Sequence, residues 1–215
     1  MGVAEVRVAA ANNAGLCEAV LTANGLRWER DAACLRCLDA PPPFYPDLVM
    51  LDPAAAPPAG DWRAVKDSFA ALDAGAMGLS VLFEASWIRR DPRPAAMPAG
   101  WQRIADAAAL GEWGAAWDGM AAARVFPPAA LDDPRLIFLA KRDGGRIAAG
   151  GLATPSADAV GLSNVFGAAP FAEAAQAAAA QAPGLPVVGY ERDAALREAL
   201  GAGFRAVGRL RVLVR

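Results

Sequence analysis

Histidine is absent from this 215-residue chain, which narrows the acid–base and nucleophilic chemistry open to it. Without histidine, Ser-His-Asp and Cys-His nucleophile systems, His-ligated metals and a His general base are all excluded. Proton transfer must then fall to Glu, Asp, Tyr, Lys, Cys or water. Tyr190 and Glu191 end the apolar run PVVGYE, and the carboxyl ends of strands in open α/β sheets are common places for ligand contacts. The same pair has a purely structural reading, with Tyr190 packed under a sheet edge and Glu191 capping the next helix alongside Asp193. Ser163-Asn164 interrupts the apolar strand GLSNVF. A polar pair at mid-strand either lines a cleft and holds substrate or bonds to a neighbouring loop. Glu84, near Trp87 in VLFEASWI, poses a similar choice. A buried carboxylate needs a partner or a raised pKa, whereas strand alternation turns it to solvent. Lys66, Asp67 and Ser68 form another polar group, near the start of a helical pattern. Cys34-Leu-Arg-Cys37 has the spacing of half a zinc site, but no second pair completes it. In a strand its two thiols would face opposite sides, so no metal site is expected.

The elements that must position these residues follow from periodicity and turn residues. A helix is expected over 13–24, closed by Asn24-Gly25, then strand-like runs over 26–38 and 48–51. Between those runs PPPFYPD must turn, and it reads as a proline turn anchored in the core by Phe44 or as a wall of a substrate cleft. Asp61 caps an expected helix over 62–72, with a strand over 79–88 beyond Gly75 and Gly78. The segment DPRP at 91–94 reads as a linker. A helix over 102–120 follows, then strands over 136–141, 146–153 and 159–166, the first two joined by the hairpin signal Asp143-Gly144-Gly145. An Ala-rich helix over 170–181, a strand over 186–190, a helix over 192–200 and a strand over 204–214 complete the chain. The order implies an α/β (α+β) fold, a mixed sheet with helices on both faces. The helix–glycine–strand pattern of 186–214 is echoed at 65–88, which suggests two related lobes, 1–95 and 96–215.

Composition narrows the function classes. Net charge is −2, with 21 basic and 23 acidic residues and no basic run longer than Arg89-Arg90. Nucleic-acid binding therefore lacks its electrostatic footprint. Much of the 55% hydrophobic content is alanine, and no apolar window is long enough for a membrane span. Three cysteines fit a reducing compartment and the N-terminus is not patterned as a signal peptide, so a cytoplasmic location is expected. Six tryptophans and Ala-rich helices allow a homodimer interface.

Residues 101–215, in their order of elements and in ALGAGF followed by VGRLRVLV, resemble a GCN5-related N-acetyltransferase (GNAT) domain. Residues 1–95 resemble a degenerate partial copy of it. The resemblance implies a mostly antiparallel sheet in which two parallel strands splay around acetyl-CoA as co-substrate, here 159–166 and 186–190. It implies thioester and anion contacts at Val165, Phe166, Gly167 and Ala168, with main-chain N–H groups as donors. Ser163, Asn164, Glu84 and Trp87 would then bind a small amine, with Tyr190 as acid and Glu191 as base. The sequence departs from the family in three places. The usual basic, Gly-rich phosphate loop is reduced to Gly167 followed by Pro170. Ala199 stands where many members carry a tyrosine acid, and strand 159–166 holds no carboxylate. The alternative implied by these departures is a catalytically lapsed scaffold that binds a ligand or partner in the former cleft.

Overall fold

Apolar residues at strand spacing gather into one eleven-stranded sheet in this computed structural model, which describes residues 2–215 apart from the side chain of Met120. The first half contributes α1 (Val3–Ala23), β1 (Trp28–Arg30), β2 (Cys34–Cys37), β3 (Leu48–Met50), β4 (Ala64–Asp67) and β5 (Ser80–Arg90). The second adds β6 (Trp101–Arg103), α2 (Ala107–Trp117), α3 (Ala122–Val125), β7 (Ile137–Asp143), β8 (Arg146–Pro155) and β9 (Val160–Gly167). It ends with α4 (Phe171–Ala179), β10 (Val187–Glu191), α5 (Asp193–Gly201) and β11 (Arg205–Val214).

The strand order is β1-β2-β3-β4-β11-β5-β10-β9-β8-β7-β6, and the pairing is nearly a palindrome about the central antiparallel pair β5–β11. Outward from that pair come antiparallel neighbours β10 and β4, then parallel neighbours β9 and β3, then antiparallel meanders. Both parallel ladders stop after two register positions, Val187↔Val160 and Val188↔Gly161 on one side, Leu48↔Val65 and Val49↔Lys66 on the other. The sheet is thus mixed, mostly antiparallel and open, with helices on both faces. On one face α1 packs Val6, Ala9, Ala10 and Cys17 against Val49, Trp87, Val188 and Leu210. There Leu16, Ala19 and Val20 also meet a second aromatic cluster around Trp113, Phe126 and Phe138. The opposite face is covered by α4 and α5 over Leu139, Leu162 and Val187, and by the 52–79 segment over Leu48, Val65 and Leu213.

Several expectations change in the structure. The helix over 62–72 does not form. Residues 64–67 are β4, and the buried Asp67 carboxylate then accepts N–H bonds from Ala71 and Leu72, both at 3.0 Å, and an ion pair from Arg211 at 2.7 Å. That carboxylate satisfies locally the donors a helix would have bonded in sequence. The strand-like run over 26–38 divides because Asp31 accepts from the N–H groups of Ala33 and Cys34, each at 2.8 Å, and turns the chain. In the expected helix over 102–120, Trp101–Arg103 is edge strand β6, and α2 starts only at Ala107, capped by Asp106 on Ala109 N–H at 2.8 Å. α1 begins at Val3 rather than residue 13, since small residues let more than one side of it be buried. Phe44 is not a core anchor. Its φ of 69° turns the ring outward, 69% exposed, against Trp117 at 5.8 Å, and Tyr45 packs beneath α1 in its place.

A cleft where two parallel strands part

Beyond Val188 and Gly161 the strands β9 and β10 separate, so the β10-facing edge of 162–166 has no strand partner. The local cause is a bulge. Asn164 takes φ 53°, and the β8–β9 register slips between Gly150↔Phe166 and Leu152↔Ser163. An asparagine tolerates that left-handed conformation better than a β-branched residue such as the adjacent Val165. A cavity of about 240 Å³ opens on the α1 side of this gap. Its walls include Asn12, Asn13 and Cys17 of α1, Phe44 and Tyr45 of the proline turn, Lys66 of β4, Thr154 of β8, residues 161–165 of β9, and residues 188–191 of β10. Both tyrosines of the chain therefore border one space.

Asn12 ties α1 to the rim, donating to Thr154 O at 2.9 Å and Ser156 Oγ at 3.1 Å. Lys66 Nζ donates to Asn13 Oδ1 at 2.7 Å and lies 4.7 Å from the centre of the Tyr190 ring, whose edge-to-face partner is Trp87 at 5.5 Å. The hydroxyls of Ser163 and Thr154 are buried with no hydrogen-bond partner. Burial pushes the Tyr45 hydroxyl well above its ordinary pKa. Burial, and secondly the charge of Glu198, raise the Glu191 carboxyl to about 7.

Successive side chains on β10 leave the sheet in opposite directions. Val188 and Tyr190 belong to the α1 face, whereas Val187 packs under α4 and α5, and Glu191 follows it toward Glu198 on α5. The Glu191 carboxyl thus borders the cavity from across the gap and does not stand beside the Tyr190 hydroxyl. Of the other sequence candidates, Ser163, Asn164 and Val165 line the cavity. Phe166 turns its ring under Trp113 at 5.2 Å, leaving only its main chain near the cleft. The Ala168 N–H is taken by Ala148 O at 3.2 Å. Glu84 is exposed and paired with Arg209, away from the cavity. Trp87 is fully buried, its indole N–H donating to Ser68 O at 2.7 Å, so it supports Tyr190 from below and is not open to a ligand. Asn12 and Asn13 were missed, whereas Phe44 and Tyr45 stand where the cleft-wall reading of the proline turn puts them. The one signal of the missed pair was polarity, two adjacent asparagines within the apolar stretch between Arg7 and Glu18. Lys66 was noticed but placed on a helix that does not exist.

A second hollow of about 460 Å³ lies at the start of α4, lined by Gly167–Ala172, Glu198, Gly201 and Ala202. The first N–H groups of α4, at Phe171 and Ala172, have no intrahelical acceptor. Gly167 makes the turn with φ 89°, where an added Cβ would meet Ala148 O at 2.2 Å. The hollow contains no basic side chain and one acid, Glu198. Ala199, where the sequence resemblance leads to the expectation of a tyrosine, is completely buried.

This sheet, splayed at a bulged strand and followed by a helix start, is GNAT-like. No family model matches the sequence and no curated protein matches it. The chain is similar in structure to a GCN5-related N-acetyltransferase from Kribbella flavida, with 16% identity, 100% of this chain and 96% of that one covered, and a TM-score of 0.59. It is also similar to a functionally unknown conserved protein from Staphylococcus epidermidis, with 10% identity, coverage of 87% and 92%, and a TM-score of 0.58. Among the described residues no helix is long and apolar enough to cross a membrane, and no group of three or more Cys, Asp or Glu could hold a metal ion.

Proposed function

We propose that the protein is an acyl-CoA-dependent N-acetyltransferase acting on a small amine. The observation that carries this reading is the parting of β9 and β10 after two register positions, which leaves a free main-chain edge leading to the open start of α4. An extended acyl-pantetheine arm fits such an edge as an added strand. The diphosphate fits the helix start, through main-chain donors alone because no basic side chain is present. When bound, acetyl-CoA would supply an activated thioester carbonyl.

The chain's own residues have three tasks. Main-chain N–H groups around Val165 and Phe166 polarise the carbonyl oxygen. Glu191, with its carboxyl near 7, takes a proton from the attacking amine at neutral pH, directly or through a water. Tyr190, on the opposite side of the gap, donates a proton to the departing thiolate. Because the acyl group passes directly to the amine, no nucleophilic side chain is required. The near-palindromic pairing about β5–β11 supports a division into two GNAT-like lobes, 1–95 and 96–215, the first a degenerate partial copy.

A lapsed scaffold is the second reading, favoured by Ala199 in the core and by Glu198 in the hollow at the start of α4. Calorimetric titration with acetyl-CoA separates the two. Binding, with thiol release on adding a panel of amines, supports the enzyme. No heat and no thermal shift at millimolar acetyl-CoA refutes it.

A further inference from the structure

Lys66 lies in β4 at 5% exposure, and strand register places it beside Val49 on the face covered by α1. Its ammonium has one oxygen acceptor, Asn13 Oδ1 at 2.7 Å, and one aromatic face, Tyr190 at 4.7 Å. Among the described residues no carboxylate pairs with it, and the acids nearest in sequence or on α1 are committed elsewhere. Asp67 pairs with Arg211 at 2.7 Å, and Glu18 holds Arg30 and Arg135. The only other lysine in the chain, Lys141, has its carboxylate, Glu173, at 2.7 Å. A buried ammonium without a counter-ion is unfavourable unless an anion completes the site. Lys66 borders a cavity, so an anion can reach it. Thr154 Oγ1 and Ser163 Oγ, both buried without partners, line the same cavity and offer two more hydrogen bonds.

We propose that this cavity binds a small amino acid, its carboxylate seated on Lys66 and Asn13, its amine toward the Ser163 hydroxyl and the β9–β10 gap. The volume sets the size. About 240 Å³ corresponds to roughly eight waters at about 30 Å³ each, room for a ligand of roughly ten non-hydrogen atoms. Leu16, Val188 and the rings of Phe44 and Tyr45 supply apolar walls, suited to an uncharged side chain. As an acyl acceptor this ligand rests on the acetyltransferase reading; as a ligand it does not.

The test is calorimetric titration of the full chain, without acyl-CoA, with the twenty proteinogenic amino acids. The tightest binder is then compared with its amide and with the amine lacking the carboxylate. The acid should bind at least tenfold more tightly than either, since a charge-assisted bond to a buried ammonium is lost in both. Lys66→Met should abolish that preference, and Ser163→Ala should weaken binding of the acid several-fold. Equal affinity for acid and amide, or no amino acid binding at millimolar concentration, overturns the proposal. If Lys66→Met does not fold, the acid–amide comparison on the wild-type protein and Ser163→Ala still decide. Acetyl-CoA is titrated separately. Its binding without any amino acid binding sinks this inference alone, and the reverse result sinks the acetyltransferase reading alone.

Discussion

Replacing Glu191 by glutamine should make the protein more stable at alkaline pH and less active. Burial first, then Glu198, raises this carboxyl from an ordinary 4.5 to about 7. The folded state therefore holds a proton that the unfolded state releases between those values. Wild-type stability should fall as pH rises from about 4.5 to about 7 and level off above. At about 1.4 kcal/mol for each pH unit, the full difference is about 3 kcal/mol, reduced to about 2 kcal/mol by the partial solvent contact of the carboxyl. Glutamine keeps the shape and carries no charge, so Glu191→Gln should recover that amount at about pH 8 and almost none at about pH 4.5. For a chain of this length about 2 kcal/mol corresponds to roughly 4–8 °C in Tm. The assay is a set of thermal melts of both proteins across that pH range. A Tm difference that does not change with pH would refute the argument, because a packing effect has no proton linkage. If Glu191 is the base, the same variant should lose roughly 10²–10⁴-fold in acyl transfer while gaining stability, a combination that a damaged fold does not give.

Three further outcomes follow from other parts of the molecule. Glu198→Gln should lower the Glu191 pKa and tighten acetyl-CoA binding about 3–10-fold at low ionic strength, an effect that fades in high salt and is read by titration at two salt concentrations. Asp67→Asn leaves the largely buried Arg211 without its counter-charge and should cost about 3 kcal/mol in chemical denaturation; a loss under 1 kcal/mol would mean that β4 does not depend on that pair. Gly167→Ala forces a Cβ against Ala148 O in a left-handed turn and should cost about 1–3 kcal/mol or more, seen as a lower denaturation midpoint.

Where the periodicity was strong, sequence and structure agree. The hairpin at Asp143-Gly144-Gly145, strands β7 to β11 and helices α4 and α5 were all legible, because turn glycines and alternating apolar residues act locally. The first half was harder to read. Asp67 resembles a helix-start residue in sequence, but it acts through Arg211, a partner 144 positions away that no local pattern reveals. Phe44, expected as the core anchor of the proline turn, yields that place to Tyr45 for a similar reason. A single left-handed φ at Phe44 decides which ring enters the core.

The sequence by itself determined the chemistry available and the class of fold: no histidine, proton transfer left to Glu, Asp, Tyr, Lys, Cys or water, a glycine-punctuated series of strands and helices, and Glu191 at the end of a strand. Tertiary structure alone decided which of those groups meet. It brought Lys66, Asn13 and Tyr190 around one cavity, sent Glu84 to the surface, and turned Tyr190 and Glu191 to opposite sides of one gap. The physical reason is that residue types and short periodicities are local properties. The counter-charges, burial and strand register that give a side chain its role come from contacts between segments far apart in the chain.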